Sequence, residues 1–166
     1  MRVLILILCL VALAGCEQQT VDVSLLQERS DGLSYLPNES EPYTGNVTEY
    51  YPSGQLNTEI SYVDGKENGL TRIWHENGQM DMEVNVVDDR QILLRSWHKN
   101  GQMDVDMAYV DGKQNGFARK WYENGQVKTE INYVDGKENG FARGWYENGQ
   151  LGGELNYANG EIVPKP

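Results

Sequence analysis

The chain of 166 residues contains 25 acidic and 14 basic side chains, which gives it a net charge of −11. This balance argues against nucleic-acid binding, which requires clustered lysine and arginine side chains that displace counterions from phosphates. It also argues against adsorption of the folded chain onto anionic lipid, and we expect the charge to favour solubility and to discourage association of sheet edges.

Residues 1–15 have the pattern of a secretion signal and are not expected to belong to the fold. Arg2 supplies a positive start, and residues 3–13 form an apolar run of about 11 residues, too short to span a bilayer as a helix. Residues 13–16, with the letters L-A-G-C, resemble the lipobox of bacterial lipoprotein signal peptides. In that family, cleavage precedes the cysteine, whose thiol carries a diacylglyceryl group. The alternative is an ordinary secretory signal in which this cysteine has no role.

The lipobox resemblance implies a mature chain that begins at Cys16 and is anchored in a lipid bilayer through that acylated residue. Stable attachment requires more than one acyl chain, at about 0.8 kcal/mol per buried methylene, and a triacylated cysteine with its palmitate meets this requirement. Glu17 stands where inner-membrane lipoproteins of Gram-negative bacteria usually have aspartate. We therefore expect a location in the cell envelope, at the outer membrane facing the periplasm if the host is Gram-negative. Cys9 leaves with the signal, so the mature chain has no internal disulfide.

Residues 16–42 are predicted to form a lipidated N-terminus and a flexible tether, because they are polar, contain two prolines and show no sustained hydrophobic period. A strand at the end of this segment would cap the first repeat, since a terminal repeat otherwise offers an unpaired edge. At the opposite end, the tail of residues 161–166 contains Pro164 and Pro166, which remove backbone donors and discourage further pairing.

Between these ends, residues 43–160 are predicted to form a tandem array. The glycine of an N-G-Q or S-G-Q signal recurs at spacings of 24, 23, 24 and 24 residues, at Gly54, Gly78, Gly101, Gly125 and Gly149. A fixed period in the twenties is typical of repeat proteins. We therefore predict five copies of one unit.

The copy at residues 116–139 shows how each repeat is expected to fold. Its second half, residues 127–134, alternates apolar or aromatic side chains with polar ones, which is typical of a half-buried strand. Asn124-Gly125 separates this run from an aromatic first half, and Asn-Gly supplies the positive φ angles of a tight hairpin turn. Residues 135–140 are predicted to join successive hairpins through a longer turn. Each copy is then two antiparallel strands, and the array is a meander.

The Asn-Gly turn leaves two registers open. A two-residue turn pairs Arg119 with Glu130 and Tyr122 with Val127. The recurrence of an arginine and an acid at the first pair of positions favours this register.

A three-residue turn with a glycine bulge shifts the pairing by one residue. It pairs Trp121 with Val127 and Phe117 with Ile131, and so collects the apolar residues on one face. Because burial normally decides which face a strand presents, we favour the bulged turn.

The repeated letters resemble a known family. The pattern G-x-x-x-x-W/Y-Y/H-x-N/S-G-Q, followed by an alternating strand and D-G-K-x-N-G, is similar to the MORN-repeat variant found in the YwqK-like antitoxin family. The resemblance implies an all-β fold, an elongated single-layer antiparallel sheet of about five tandem hairpins, and it implies no active site. The third copy departs from the pattern at residues 88–92 and is one residue short, so we expect a tighter or distorted connection there.

One candidate binding surface recurs with the repeat. It consists of arginine and tryptophan two residues apart in four copies: Arg72, Trp74, Arg95, Trp97, Arg119, Trp121, Arg143 and Trp145. These residues are expected to form a groove for a protein segment or a glycan, or to stabilise the sheet by cross-strand packing and cation–π contacts. An acid also recurs, at Glu59, Glu83, Asp106, Glu130 and Glu154, and is expected to pair with arginine across strands.

The remaining residues favour a protein without a reaction centre. His75 and His98 share one repeat position, where other copies have tyrosine, and no third metal ligand recurs beside them. Residues 135–146 partly resemble a calcium loop but end in tyrosine and not glutamate. A catalytic residue has no reason to recur five times. We therefore predict no enzyme activity, no cofactor and no metal.

Three functions remain open. The first is a non-enzymatic, membrane-anchored lipoprotein whose β-repeat surface binds another protein. The second is a structural envelope protein that binds glycan or peptidoglycan through the aromatic row. The family resemblance implies a third, an antitoxin or immunity-like protein that occludes a toxin.

Overall fold

The computed structural model describes residues 19–88 and 90–164. The predicted signal peptide and Cys16, the predicted lipidation site, lie outside the described residues. Within the described part of the chain, no helix is long and apolar enough to span a membrane. This part is nearly all β-structure, as predicted, with one turn of 3₁₀ helix at Val23–Leu25.

The described residues form fifteen strands: β1 Thr20–Asp22, β2 Gln27–Glu28, β3 Ser34–Tyr35, β4 Gly45–Tyr50, β5 Leu56–Val63, β6 Lys66–Trp74, β7 Met80–Val87, β8 Arg90–Trp97, β9 Met103–Val110, β10 Lys113–Gln114, β11 Gly116–Trp121, β12 Val127–Val134, β13 Lys137–Trp145, β14 Leu151–Ala158 and β15 Glu161–Val163. Strands β4 to β14 pair in chain order, with the short β10 beside β11 on β9. The sheet is unclosed, with β1 at one edge and β15 at the other. The predicted meander of five tandem hairpins is confirmed.

Each Asn-Gly or Ser-Gly turn closes its hairpin with three residues and a glycine bulge. In the fourth copy, the Tyr122 N–H donates to the Gln126 carbonyl and the Gly125 N–H donates to the Tyr122 carbonyl, each at 2.8 Å. Gly125 has a φ of +81°, in the left-handed region that glycine enters without steric cost. The bulged turn is therefore confirmed, and Trp121 lies opposite Val127.

A second bulge follows on the returning strand. Lys120 lies opposite Thr129, whereas the next residue, Trp121, lies opposite Val127. Lys128 is therefore an extra residue on β12, and it shifts the pairing by one position. Every hairpin contains this second bulge, at Asn57, Asp81, Asp104, Lys128 and Gly152.

Beyond the second bulge, the pairing follows the other predicted register. Arg119 lies opposite Glu130, so features of both alternatives occur in the same hairpin. The predicted pairing of Phe117 with Ile131 is wrong, because the bulge moves Phe117 opposite Asn132. Since side chains alternate along a strand, Phe117 shares a face with Arg119, and Ile131 lies on the other face. The apolar residues are thus divided between two faces and not collected on one.

The connections between hairpins are shorter than predicted. Val134 pairs with Lys137, so Asp135 and Gly136 alone form the turn, with φ of +50° and +80°. Positive φ at both central residues defines the type I′ turn, whose twist matches that of the flanking strands. Residues 137–139, which were expected in a longer turn, instead begin β13.

The shortened third copy has one residue fewer in strand β8 than the other copies have in the equivalent strand. Val87 pairs with Arg90, which leaves the usual two residues between them. After this turn, the strand in other copies contains two more residues than the strand it pairs with, and one of them is a glycine with positive φ such as Gly69. In β8 the register shift opposite Asn85 and Val86 contains only one extra residue. Among the described residues, the expected distortion therefore lies in strand β8.

Residues 19–44 are folded onto the first hairpin, over much of the segment predicted as a flexible tether. β1 pairs with β4 in parallel and so caps the edge of the sheet. The Ser34 N–H donates to the Gly65 carbonyl at 2.9 Å, which fixes the segment on the first type I′ turn. The most buried side chains of this region are Tyr35, Tyr43, Val47 and Thr48, at 6%, 4%, 1% and 7% exposed.

Candidate functional site

One face of the sheet carries a continuous row of alternating charges. The register places each arginine of the predicted surface between acids on the two neighbouring strands. The row consists of Thr48, Glu59, Arg72, Glu83, Arg95, Asp106, Arg119, Glu130, Arg143 and Glu154. From Glu59 to Glu154, opposite charges are direct cross-strand neighbours, which is the stabilising arrangement.

Ion pairs along this row orient the guanidinium groups. Arg119 Nε lies 2.7 Å from Glu130 Oε2, and Arg143 Nε lies 2.6 Å from Glu154 Oε2. Arg72 contacts acids on both sides, at 3.4 and 3.2 Å. The four arginine side chains are 34–40% exposed, so solvent screens these pairs and each contributes at most about 1 kcal/mol. A partner at this face would therefore meet arginines that are already positioned.

The four tryptophans lie on the same face as the arginines, at alternate positions of the same strands, and each is half-buried. The structure thus brings together all eight residues of the predicted surface. The cation–π contacts differ from those expected. Arg119 lies 4.8 Å from the ring centroid of Phe117 and Arg143 lies 4.9 Å from that of Phe141, so phenylalanine and not tryptophan is the aromatic partner.

The opposite face carries apolar and tyrosine side chains. Its central row contains Val47, Ile60, Thr71, Val84, Leu94, Met107, Ala118, Ile131, Ala142 and Leu155. A neighbouring row contains Tyr62, Tyr109, Tyr133 and Tyr157. Burial raises the pKa of Tyr133, and the Glu138 carboxylate and Tyr157 beside it raise that pKa further.

A third row on this face joins successive repeats through side-chain hydrogen bonds. The Tyr122 hydroxyl donates to the Trp145 carbonyl at 2.9 Å, and Tyr51 makes the corresponding bond near the start of the array. His98 Nε2 lies 3.1 Å from the Trp121 carbonyl, a contact that requires the tautomer with a proton on Nε2. Tyr51, His98 and Tyr122 therefore each present a donor to the next repeat, whereas within the described part of the chain the Nε2 of His75 makes no hydrogen bond.

The two histidines lie beside aspartates of their own hairpins. His75 Nε2 is 3.5 Å from Asp81 Oδ1, and His98 Nε2 is 3.6 Å from Asp104 Oδ1. Both aspartates are the extra residues of the second bulge. Across residues 19–88 and 90–164, no group of three or more His, Cys, Asp or Glu side chains is placed to hold a metal ion.

The tyrosine face also contains a groove in the last two hairpins, which sequence reasoning missed. Its floor is the backbone of Gly144, Gly152 and Gly153, and its walls include Tyr122, Ile131, Tyr146, Leu155 and Tyr157. The preceding copy has Lys120 where the last has Gly144, and Thr129 where the last has Gly153. The groove exists because the last copy lacks these side chains. The available sequence signal for the groove was three departures from the repeat pattern, at Gly144, Gly152 and Gly153.

Four segments of the chain match the family described as the MORN repeat variant, at residues 43–64, 67–88, 114–135 and 139–159. They coincide with the first, second, fourth and fifth hairpins, and residues 89–113, which hold most of the shortened third copy, lie between them. No curated protein matches this sequence. Because the four segments cover more than half of the chain, the protein belongs to the MORN repeat variant family.

Proposed function

We propose that this chain is a non-enzymatic lipoprotein of the cell envelope, anchored by Cys16, whose repeat sheet binds another protein. The observation that carries the proposal is the contrast between the two ends of the sheet. Residues 19–44 pack against the first hairpin, where Tyr50 is 54% and Val63 39% exposed, whereas the last hairpin and β15 together expose four large apolar side chains. Tyr146 is 60% exposed, Leu151 54%, Leu155 47% and Ile162 65%.

Apolar side chains of this size gain free energy when a partner covers them, at about 25 cal/mol per Å² of buried apolar surface. A cluster of them beside polar residues is typical of an interaction site. Leu151 lies opposite Trp145 on the arginine face, whereas Leu155 and Tyr146 line the groove on the other face. The exposed end therefore offers apolar surface on both faces.

The position of the anchor supports the same proposal. Residues 17 and 18 alone separate Cys16 from Gln19, where the described chain begins beside β1. The strand order places β15 at the opposite edge, eleven strand intervals away, or about 50 Å at the usual strand spacing. An acylated Cys16 would hold the first hairpin near the bilayer and present the last hairpin to a partner away from it.

The charge row supports binding and not catalysis. The Arg119–Glu130 pair has equivalents in the neighbouring hairpins, such as Arg143–Glu154. Groups that recur along a surface do not define a single reaction centre, where a few side chains converge on one reacting atom.

Labelling with radioactive palmitate in a bacterial host tests the anchor. The natural chain is expected to incorporate the label and to sediment with membranes, because Cys16 carries the acyl groups. Cys16→Ala is expected to lose both properties, whereas Cys9→Ala keeps them. Label retained by Cys16→Ala would rule out this anchor.

Cross-linking of the membrane-bound protein, followed by purification, tests the partner. We expect a protein to be captured by the natural chain and lost when Trp121→Ala and Trp145→Ala remove part of the arginine–tryptophan face, or when the groove is filled. Capture that no variant on either face reduces would contradict the proposal.

Two alternative functions predict other results, the first in a sedimentation assay and the second in the cross-linking experiment. Sedimentation with purified cell-wall material, lost on Trp121→Ala, would favour the glycan or peptidoglycan function, which the aromatic rows support. Capture of a toxin whose activity the protein blocks would favour the antitoxin or immunity-like function, which the resemblance to the YwqK-like family supports.

A further inference from the structure

The extra residue of the second bulge interacts with the first residue of the Asn-Gly turn in the same hairpin. Asp81 lies 3.5 Å from His75 in the second copy. In the fourth copy Lys128 Nζ lies 5.3 Å from the ring centroid of Tyr122, a cation–π contact. The bulge thus places a side chain beside a histidine, or a cation over a tyrosine ring.

In the last copy the bulge residue is Gly152 and the ring is that of Tyr146. A Cβ atom on Gly152 would lie 3.3 Å from two carbons of this ring, so the ring rests against glycine backbone. Tyr146 remains 60% exposed, and among the described residues no cation lies over it. Within residues 19–88 and 90–164, the chain therefore supplies a cation to Tyr122 and none to the equivalent Tyr146.

The other glycines of the groove floor are not required by backbone geometry. Gly144 and Gly153 lie in regular strand and are not among the residues with positive φ. A Cβ atom on Gly153 would have nothing within 4 Å, and one on Gly144 would make only an ordinary contact at 3.9 Å. Glycine inside a strand costs about 0.5–1 kcal/mol relative to alanine and marks a bulge, a bend or a place where a ligand or another backbone approaches closely. The bulge in this hairpin is at Gly152, so Gly144 and Gly153 leave open space beside it.

The charges around the groove favour a cationic ligand. Glu123 and Glu147 follow the two wall tyrosines directly and are both exposed. Lys128 places a positive charge over the ring of Tyr122, whereas the equivalent residue beside Tyr146 is Gly152, which has no side chain. The chain as a whole carries a net charge of −11, which attracts basic partners and repels a second copy of itself.

We propose that this groove binds a basic segment of a partner protein, with a lysine or arginine side chain over the ring of Tyr146 and an apolar neighbour against Leu155. The partner's cation would take the place that Lys128 takes over Tyr122. This inference rests on the proposed protein-binding function and assigns it a site and a partner chemistry. A sugar is a poorer ligand, because Thr129 and the tyrosine hydroxyls are the polar groups on this face, and the Tyr122 hydroxyl already donates to Trp145. Arg143 and Glu154 also border the groove, but they belong to the opposite face and pair with each other.

The test uses the full-length lipoprotein in nanodiscs of phosphatidylcholine, which carry no net charge. The probe is a fluorescent peptide with a Lys-Leu-Lys centre flanked by serines, and its anisotropy reports binding. Peptides with glutamate in place of lysine, or serine in place of leucine, are expected to bind at least about tenfold more weakly. The original peptide is expected to bind empty nanodiscs at least about tenfold more weakly than nanodiscs that contain the protein.

Three variants locate the site. Gly152→Lys supplies a cation beside the ring of Tyr146 from the chain itself. Gly153→Thr introduces the threonine that the preceding copy has at Thr129, at a position where a Cβ atom would have nothing within 4 Å. Each is expected to weaken peptide binding by about tenfold or more, while thermal unfolding shows that both remain folded. Gln150→Lys adds the same charge in the exposed turn of this hairpin and is expected to change binding less than twofold.

The results separate this inference from the proposed function. Unchanged peptide binding in Gly152→Lys and Gly153→Thr, or equal binding of the acidic peptide, would overturn the groove assignment. If the cross-linked partner is then lost only on Trp121→Ala and Trp145→Ala, the protein-binding function stands and uses the opposite face.

Discussion

Two side-chain hydrogen bonds explain why asparagine recurs in the Asn-Gly turns. Asn124 Oδ1 accepts a hydrogen bond from the Gln126 N–H at 3.0 Å, which closes the turn. Its Nδ2 donates to the Glu147 carbonyl at 2.8 Å, which ties the turn to the next repeat. Asn100 makes the second bond to Glu123 in the same way. A single side chain therefore stabilises both the local turn and the stacking of neighbours.

Asn124→Ala is expected to destabilise the protein more than Asn148→Ala. Both substitutions remove the bond inside the turn, but among the described residues Asn148 makes only that bond. The difference in the free energy of unfolding should be about 1 kcal/mol, the typical net value of one hydrogen bond. Urea denaturation followed by tryptophan fluorescence measures it. Equal losses would show that the bond between repeats contributes nothing.

Tyr43 predicts how stability changes at alkaline pH. Its ring is 4% exposed, and burial raises the pKa of its hydroxyl above 10.0. Because the folded pKa exceeds the unfolded one, the stabilisation is complete below about pH 10 and is lost as the pH rises through the folded pKa.

Tyr43→Phe should therefore flatten the fall in stability between about pH 9 and pH 12. At neutral pH it should cost about 1–2 kcal/mol, since the hydroxyl lies 2.8 Å from the Gln19 carbonyl and 2.7 Å from the Asn46 carbonyl. Urea midpoints across this pH range check both effects. Tyr50→Phe, at a ring that is 54% exposed, is the control.

At the level of elements, the Asp-Gly turns are alike in conformation but differ in their surroundings. Gly65 and Gly112 both have positive φ, at +79° and +73°. A Cβ atom on Gly65 would lie 2.9 Å from the Cβ of Leu33 and 3.0 Å from that of Pro42, whereas one on Gly112 would meet nothing within 4 Å. The first turn is thus the one against which residues 19–44 pack.

Gly65→Ala is expected to cost more than Gly112→Ala. Both variants incur the penalty of a left-handed conformation, about 1–2 kcal/mol, and Gly65→Ala adds overpacking of about 1–3 kcal/mol. Thermal unfolding gives the comparison. Hydrogen exchange should also show faster exchange of the Ser34 amide in Gly65→Ala alone, because its bond to the Gly65 carbonyl is weakened. Equal exchange in the two variants would mean that the segment does not rest on this turn.

At the scale of the whole molecule, the repeat and its turns could be predicted from the sequence because their signals are local. Asn124-Gly125 and the alternating run after it define a hairpin without reference to the rest of the chain. The second bulge could not be predicted in this way. Its residue, Lys128 in the fourth copy, shares no chemistry with its equivalents, so both registers looked possible and each was partly right.

The folded segment at residues 19–44 and the groove are non-local features. Tyr43 is buried by contacts with Gln19, 24 residues earlier, which no hydrophobic period reveals. The groove depends on the absence of side chains at Gly144 and Gly153, and a search for chemistry-bearing residues passes over glycine. The predicted arginine–tryptophan face was recognisable because it consists of such residues at a fixed spacing.

The contacts between repeats connect equivalent positions, so one whole unit should be removable. Deletion of residues 116–139 joins Asn115 to Gly140 and leaves Arg143 where Arg119 was, opposite Asp106. His98 would then meet the carbonyl of Trp145. Because stability in a repeat array is a sum over neighbours, we expect the variant to fold into a shorter sheet. Its circular dichroism spectrum should still be that of a β-sheet, and its urea m-value should be smaller.

Deletion of residues 119–141 provides the matched comparison, because it removes 23 residues from the same repeat and breaks the 24-residue period inside a strand. It joins Ala118 to Ala142, which places Ala142 opposite Asp106 where Arg119 was and turns Arg143 and Trp145 to the other face of the sheet. This variant should lose the cooperative unfolding transition that the 24-residue deletion retains. If the two deletions behaved alike, the stacking of equivalent positions would not be what determines the fold.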